Sequence, residues 1–167
     1  MLYSGSFSKL PFITYILGTL IRSYDALGAD AVLITGHAVD LYDPAVVTAG
    51  MGSFFSVPVL RLSGNGQIES FLSDMRQRYP GFRAVTTTAH RKTPLYEEKL
   101  CGPCGLFIGN ETDRLCQRLH ELADTLVSIP MAASSFASSL NVSCAATVVL
   151  YEIMRQRAEK QGRCFDM

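Results

Sequence analysis

Short apolar runs rich in β-branched residues alternate along this chain with stretches whose apolar positions recur every three or four residues. Ala31–Thr35 and Val57–Leu62 read as buried strands, as do Arg83–Thr87, Gly105–Ile108 and Thr125–Ile129. Between them, Leu17–Leu27 brings Leu17, Leu20, Ile21, Tyr24 and Leu27 to one face of a helix. Pro44–Gly50 is a short helix. Ile68–Tyr79 carries Ile68, Phe71, Leu72 and Met75 at helical spacing and stops at Pro80-Gly81. Thr112–Ala123 follows the fourth strand, and Val142–Lys160 is the last helix. The apolar stretch Leu10–Ile21 is roughly half of a bilayer span and lacks a small-residue cleavage site, so it reads as a buried element.

Strands that alternate with helices predict an α/β fold, a parallel sheet with helices on both faces. Ligands of such sheets bind outside the carboxyl ends of the strands. The positions to inspect are therefore Thr35-Gly36-His37, Thr87-Thr88-Ala89, Gly109-Asn110-Glu111 and Ile129-Pro130-Met131. With 167 residues, 48% of them apolar and 18% charged, the chain suits a single domain over 1–167 and excludes a disordered or fibrous one.

Fifteen basic residues balance fifteen acidic ones, so a nucleic-acid partner must be met by charge gathered on one face. Five cysteines and no secretory signal point to reduced thiols and a cytoplasmic protein. Cys101-Gly102-Pro103-Cys104 has the composition of a redox motif, but it precedes a strand, whereas such motifs follow a strand and open a helix. Together with His90 it supplies too few ligands for zinc, and no metal is expected. His37, His90 and His120 read as polar surface residues. His90-Arg91-Lys92, with Arg76 and Arg78, offers either phosphate contacts or a solvated face.

Three segments bring a chemistry into view. They are Leu17-Gly18-Thr19-Leu20-Ile21-Arg22-Ser23 with Ala26-Leu27-Gly28-Ala29-Asp30; Leu106-Phe107-Ile108-Gly109-Asn110-Glu111; and Ile129-Pro130-Met131 with Ser139-Leu140-Asn141-Val142-Ser143. In this order they resemble the three motifs of the SpoU (TrmH-like) RNA 2′-O-ribose methyltransferases. Met51-Gly52-Ser53-Phe54-Phe55 and Pro58-Val59, between the first two, are also similar to that family, and the likeness runs from Leu17 to Arg157.

The resemblance implies a deep C-terminal trefoil knot, a homodimer, and S-adenosylmethionine as cofactor for methyl transfer to a ribose 2′-hydroxyl of rRNA or tRNA. It places the cofactor against backbone groups of Gly109, Ile129 and Leu140, with Gly36, Thr88, Ala89 and Met131 nearby. Those residue types suit such a pocket, since a glycine lets backbone approach a ligand, and Ile129, Met131 and Leu140 offer an apolar slot for an adenine ring.

The resemblance also assigns catalytic work to Arg22, Glu111, Ser139 and Asn141. A ribose hydroxyl is a poor nucleophile until activated and aligned. Arg22 matches the family's activating arginine, which acts with the RNA phosphate, since a guanidinium that stays protonated is no base on its own. Glu111, beside a helix start, reads equally as a helix cap, and so do Ser139 and Asn141 ahead of the last helix.

The chain departs from the family's pattern in three places. Ile16 stands where the family usually has asparagine, Asp113-Arg114 replaces a glycine-rich turn, and the serine- and alanine-rich stretch from Ile129 to Leu140 is about two residues longer. Residues 1–15 form an atypical lead-in. These departures leave open an alternative, a catalytically impaired family member that serves as a cofactor- or RNA-binding module.

Overall fold

The structure, a computed structural model, describes residues 2–4, 11–35, 40–62, 65–88, 93–109, 114–137 and 139–162. Along the chain run β1 (Leu2–Ser4), α1 (Pro11–Ala26), β2 (Val32–Thr35), α2 (Pro44–Ala49), β3 (Val59–Leu62), α3 (Asn65–Arg78) and β4 (Arg83–Thr87). These are followed by β5 (Thr93–Pro94), β6 (Cys104–Gly109), α4 (Arg114–Leu122), β7 (Thr125–Ser128) and α5 (Val142–Lys160). The strands form one sheet in the order β3-β2-β1-β6-β4-β7-β5, and every neighbouring pair is parallel. The expected α/β architecture is therefore present, with each predicted strand and helix in place to within a few residues.

The differences have local causes. Helix α1 opens at Pro11 rather than Leu17, a proline whose fixed φ suits a first helical turn. Strands β1 and β5 were not anticipated, because three and two residues are too short to show a period of two. Strand β5 lies at the sheet edge, where its proline removes no ladder bond from a central strand.

Alternation along the strands divides the core. Val32, Ile34, Val85, Leu106, Ile108 and Val127 face one way and meet Leu17, Leu20, Ile21 and Tyr24 of α1 and Ala146, Val149, Leu150 and Ile153 of α5. Leu33, Ala84 and Phe107 face the other way, against Ile68 and Leu72 of α3 and Leu119 of α4. Each fully buried residue of this kind stabilises the fold by about 1.5–3 kcal/mol relative to exposure. The helical stripe read from Leu17 to Leu27 is the stripe that is buried.

Two glycines are required by geometry. A Cβ on Gly18 would lie 2.4 Å from the Val46 carbonyl oxygen and 2.6 Å from the Ala49 Cβ, so α1 and α2 meet through this bare position. Gly28 takes φ +71°, and the chain closes α1 with paired bonds, Ala29 N–H to Tyr24 O at 2.9 Å and Gly28 N–H to Asp25 O at 3.1 Å.

Helix α5 is fastened to the segment that leads into β6. The Gln156 side chain accepts from Leu100 N–H at 2.7 Å and donates to Glu98 O at 2.8 Å. Arg157 donates to Gly102 O at 3.0 Å. Arg83 reaches Glu98 at 2.6 Å and also meets the Thr125 hydroxyl. Among the described residues, no helix is long and apolar enough to cross a membrane.

Candidate functional site

Register decides which strand ends meet. Thr86 is level with Phe107, so the next positions bring Thr88 level with Gly109, the last residue of β6. Thr87 is level with Val127, and Thr88 N–H donates to Val127 O at 3.0 Å, which sets Ile129 just beyond Thr88 on the neighbouring strand. The structure thus brings Thr88, Gly109 and Ile129 together at the carboxyl ends of three adjacent strands. Thr88 is buried, while Ile129 is half-buried and packs against the main core cluster.

From Ile129 the chain runs through an exposed loop to α5. Met131 is half-buried and Leu140 is exposed, so each keeps apolar surface available beside the strand ends. Asn141 caps α5: its side-chain oxygen accepts from Ser143 N–H at 2.9 Å and from the Ser143 hydroxyl at 2.7 Å. The capping reading of Asn141 is therefore realised, and its exposure leaves the amide nitrogen open to a ligand. Ser139 is exposed two residues earlier. Gly36, Ala89 and Glu111 lie outside the described residues.

Arg22 is not at the strand ends. It is exposed on α1, in line with Tyr15 and Thr19 at helical spacing, and forms no ion pair among the described residues. The adjoining turn is tied to α5, where Thr147 Oγ1 and Ser23 Oγ are 3.1 Å apart. Thr147 lies six residues past Asn141, about 9 Å along the helix axis. On the outer side of α5, Cys144, Val148 and Tyr151 form a second exposed stripe beside that of α1. Within one chain, Arg22 and the strand-end residues therefore belong to neighbouring surfaces rather than to one pocket.

A cavity of about 1080 Å³ lies elsewhere. It opens at the amino ends of the strands and is lined by Leu33 and Leu106 from the sheet, Leu150 and Ile153 from α5, and Phe71 and Met75 from α3. On the sheet side it meets the start of β6, where Gly105 and Leu106 line it. Volume alone points to this gap. The chemistry points to the opposite edge, where backbone ends, a buried threonine and uncovered apolar side chains converge.

Cys104 is the first residue of β6, as the reading of the Cys101–Cys104 segment required. Burial pushes its thiol pKa up against the pull of Arg157, the reverse of an activated redox cysteine. Arg76 is engaged with Asp124 at 3.0 Å, and Arg118 with Glu69 and Glu121. Among the described residues, no three histidine, cysteine or carboxylate side chains gather as a metal site requires. The Gln156 clamp escaped the sequence reading because its partners are 56 and 58 residues away.

Comparison with known proteins bears on the family of the chain. The chain is 42% identical over 141 residues to the 23S rRNA (uridine(2479)-2′-O)-methyltransferase of Streptomyces viridochromogenes, covering 84% of this chain and 48% of that protein. It is 35% identical over 141 residues to the 23S rRNA (guanosine-2′-O-)-methyltransferase RlmB of Haemophilus influenzae, covering 84% of this chain and 55% of the relative. The chain thus spans about half the length of these curated relatives. Its fold superposes on the SpoU methyltransferase AviRb from Streptomyces viridochromogenes, in complex with the cofactor AdoMet, with a TM-score of 0.81 and 38% identity. That match covers 94% of this chain and 57% of the other. Residues 16–151, a span that contains the three segments quoted from the sequence, match the SpoU rRNA Methylase family, and the chain belongs to that family.

Proposed function

We propose that residues 1–167 form the catalytic domain of an S-adenosylmethionine-dependent RNA 2′-O-ribose methyltransferase, acting in the cytoplasm on rRNA or tRNA. The observation that carries this reading is the convergence of Thr88, Gly109 and Ile129 at the carboxyl ends of β4, β6 and β7, beside Met131 and Leu140. The residues fit the cofactor. Leu140 and Met131 leave apolar surface uncovered for an adenine ring, and strand-end backbone supplies directional hydrogen bonds. When bound, the cofactor supplies an electrophilic methyl group on a sulfonium.

The chain's own groups do the rest. Arg22 grips a phosphate of the substrate with its planar fork and, through it, orients and helps deprotonate the ribose hydroxyl. Asn141 and Ser139 position ribose or cofactor from the start of α5, and Glu111 does so from the loop after β6. Gly36 and Ala89 complete the cofactor pocket. A carboxyl-terminal trefoil knot belongs to this reading, as does a homodimer. The exposed stripes of Tyr15 and Arg22 on α1 and Val148 and Tyr151 on α5 form the face that a second copy covers, which brings Arg22 to the partner's strand ends.

The deciding experiment is methyl transfer from labelled cofactor to total cellular RNA, with the modified ribose mapped. Absence of binding to the demethylated cofactor at millimolar concentration, by calorimetry on folded protein, sinks the reading. One observation favours the second reading, a binding module without efficient catalysis. Ile16, where the family has asparagine, is half-buried against the core and offers no polar group to RNA. An inactive wild type that regains transfer as Ile16→Asn decides for that alternative.

A further inference from the structure

The loop from Ile129 to Leu140 presents one aromatic ring in a run of small residues. Phe136 is 107% exposed, so no other part of the chain covers it, and it is flanked by Ser134, Ser135 and Ala137. Single exposed apolar side chains are ordinary on protein surfaces, and exposure alone argues nothing. Phe136, however, is held on a fastened turn: Ser135 N–H donates to Ala132 O at 2.9 Å, and Ala137 N–H donates to Ser135 Oγ at 3.1 Å. The turn lies between Met131 and Leu140 along the chain, in the loop that leaves the sheet at Ile129 and returns to α5. No residue from Pro130 to Asn141 is charged, so whatever meets this ring is held by its planar apolar face rather than by charge.

We propose that Phe136 is a stacking platform for an unpaired base of the RNA strand whose ribose is methylated, so that the substrate is a single-stranded or looped nucleotide rather than one within a duplex. The inference rests on the reading of this domain as an RNA methyltransferase. A base is joined to the ribose that reacts, so an aromatic plane beside the cofactor pocket lies where that base, or its neighbour, must be placed. Bases within a duplex already stack on one another, whereas an unpaired base can be splayed out onto an aromatic side chain. Such stacking strengthens binding by roughly five- to a hundredfold per base and tolerates every base, because each has a π-face. The neighbouring small side chains leave both faces of the ring open, and the fastened turn limits the ordering that binding must impose.

The test uses the whole chain with a mixed-sequence 12-nucleotide RNA, single-stranded or annealed to its complement. Phe136→Trp introduces the only tryptophan in a chain that has none, so its fluorescence reports this position alone. The single strand is expected to quench it, and the duplex, the demethylated cofactor alone and protein dilution are not. Phe136→Ala is expected to weaken single-strand binding and raise KM for active RNA about five- to a hundredfold, with kcat at saturation and cofactor affinity kept. Phe136→Tyr restores binding. Equal single-strand binding by wild type and Phe136→Ala overturns the proposal, as does a fluorescence signal from Phe136→Trp that answers only to cofactor or to dilution. A wild type that binds the demethylated cofactor but no RNA removes the RNA reading and the proposal together. Loss confined to Phe136→Ala supports both.

Discussion

At the amino ends of the strands an open cavity of about 1080 Å³ lies between the sheet, α3 and α5, whereas at the carboxyl ends strand-end backbone meets half-covered loop positions. The amino edge is fastened by side chains. Gln156 bridges Glu98 and Leu100, and Arg157 holds Gly102. The carboxyl edge has the capped start of α5 and a loop exposed from Ala132 to Ala137. The difference teaches that a hollow is not a site. The cavity is walled by helix side chains and strand starts, whereas ligands of parallel sheets sit where strands end and orient their backbone groups outward.

Four measurements can break or sharpen that contrast. The largest effect is expected from Arg22→Ala, which should lower turnover on the true RNA by at least about a hundredfold, about 3 kcal/mol, through loss of a transition-state contact. Stability should move by no more than about 0.5 kcal/mol, since Arg22 is exposed and has no ion pair among the described residues. Arg22→Lys should rescue little. Undiminished methylation by Arg22→Ala would dismiss the mechanism.

On the opposite edge, Leu106→Ala should lower unfolding free energy by about 2–4 kcal/mol, because a buried side chain at the cavity wall is removed. Chemical denaturation measures this, and cofactor affinity per folded molecule should hold. A selective loss of cofactor affinity would mean that the amino-edge cavity is the site after all. Asn141→Ala should cost about 1 kcal/mol by removing the cap of α5. Asn141→Ser keeps a capping oxygen, so any fall in transfer rate by that variant at unchanged stability isolates a role beyond capping.

The smallest effect concerns Glu152, whose carboxylate joins the amino-edge clamp by accepting from Gln156 at 2.8 Å and from Arg155 at 2.7 Å. Hydrogen bonding from Arg155 is the main influence holding the Glu152 carboxyl below its ordinary value of 4.5. Its contribution to stability is therefore fully present above about pH 4.5 and is lost as pH falls through the lowered folded-state value. Acid unfolding of Glu152→Gln should show a shallower dependence in that window and none above it. An unchanged acid profile would remove Glu152 from the clamp.

The sequence was most legible where its period was longest. The stripe from Leu17 to Leu27 followed from spacing alone, and the alternation in β2 and β6 agreed with two covered faces. Strands β1 and β5 were hidden by their length, and the Gln156 clamp by sequence distance. Thr88, Gly109 and Ile129 were legible as neighbouring strand-end positions, because strand ends carry position as well as identity. Arg22 was legible as a motif residue only. Its place on an exposed face, away from those strand ends, depends on how α1 crosses the sheet, and no local pattern encodes that.

The position of β1 also governs the order in which the molecule can assemble. Strand β1 takes a central lane, and its β6 neighbour lies about a hundred residues further on. Bringing such distant segments together carries a loop-closure cost before any pairing rewards it, so folding is slow for a protein of this size. At a synthesis rate of about 5–20 residues per second, β1 waits roughly 5–20 s for that partner to be made. During that interval β2 is its available neighbour, and the edge later claimed by β6 stays open to other chains. Cofactor present during synthesis cannot shorten the wait, since Gly109 and Ile129 emerge only at its end. A chaperone that shields this edge until then should raise the yield of folded protein.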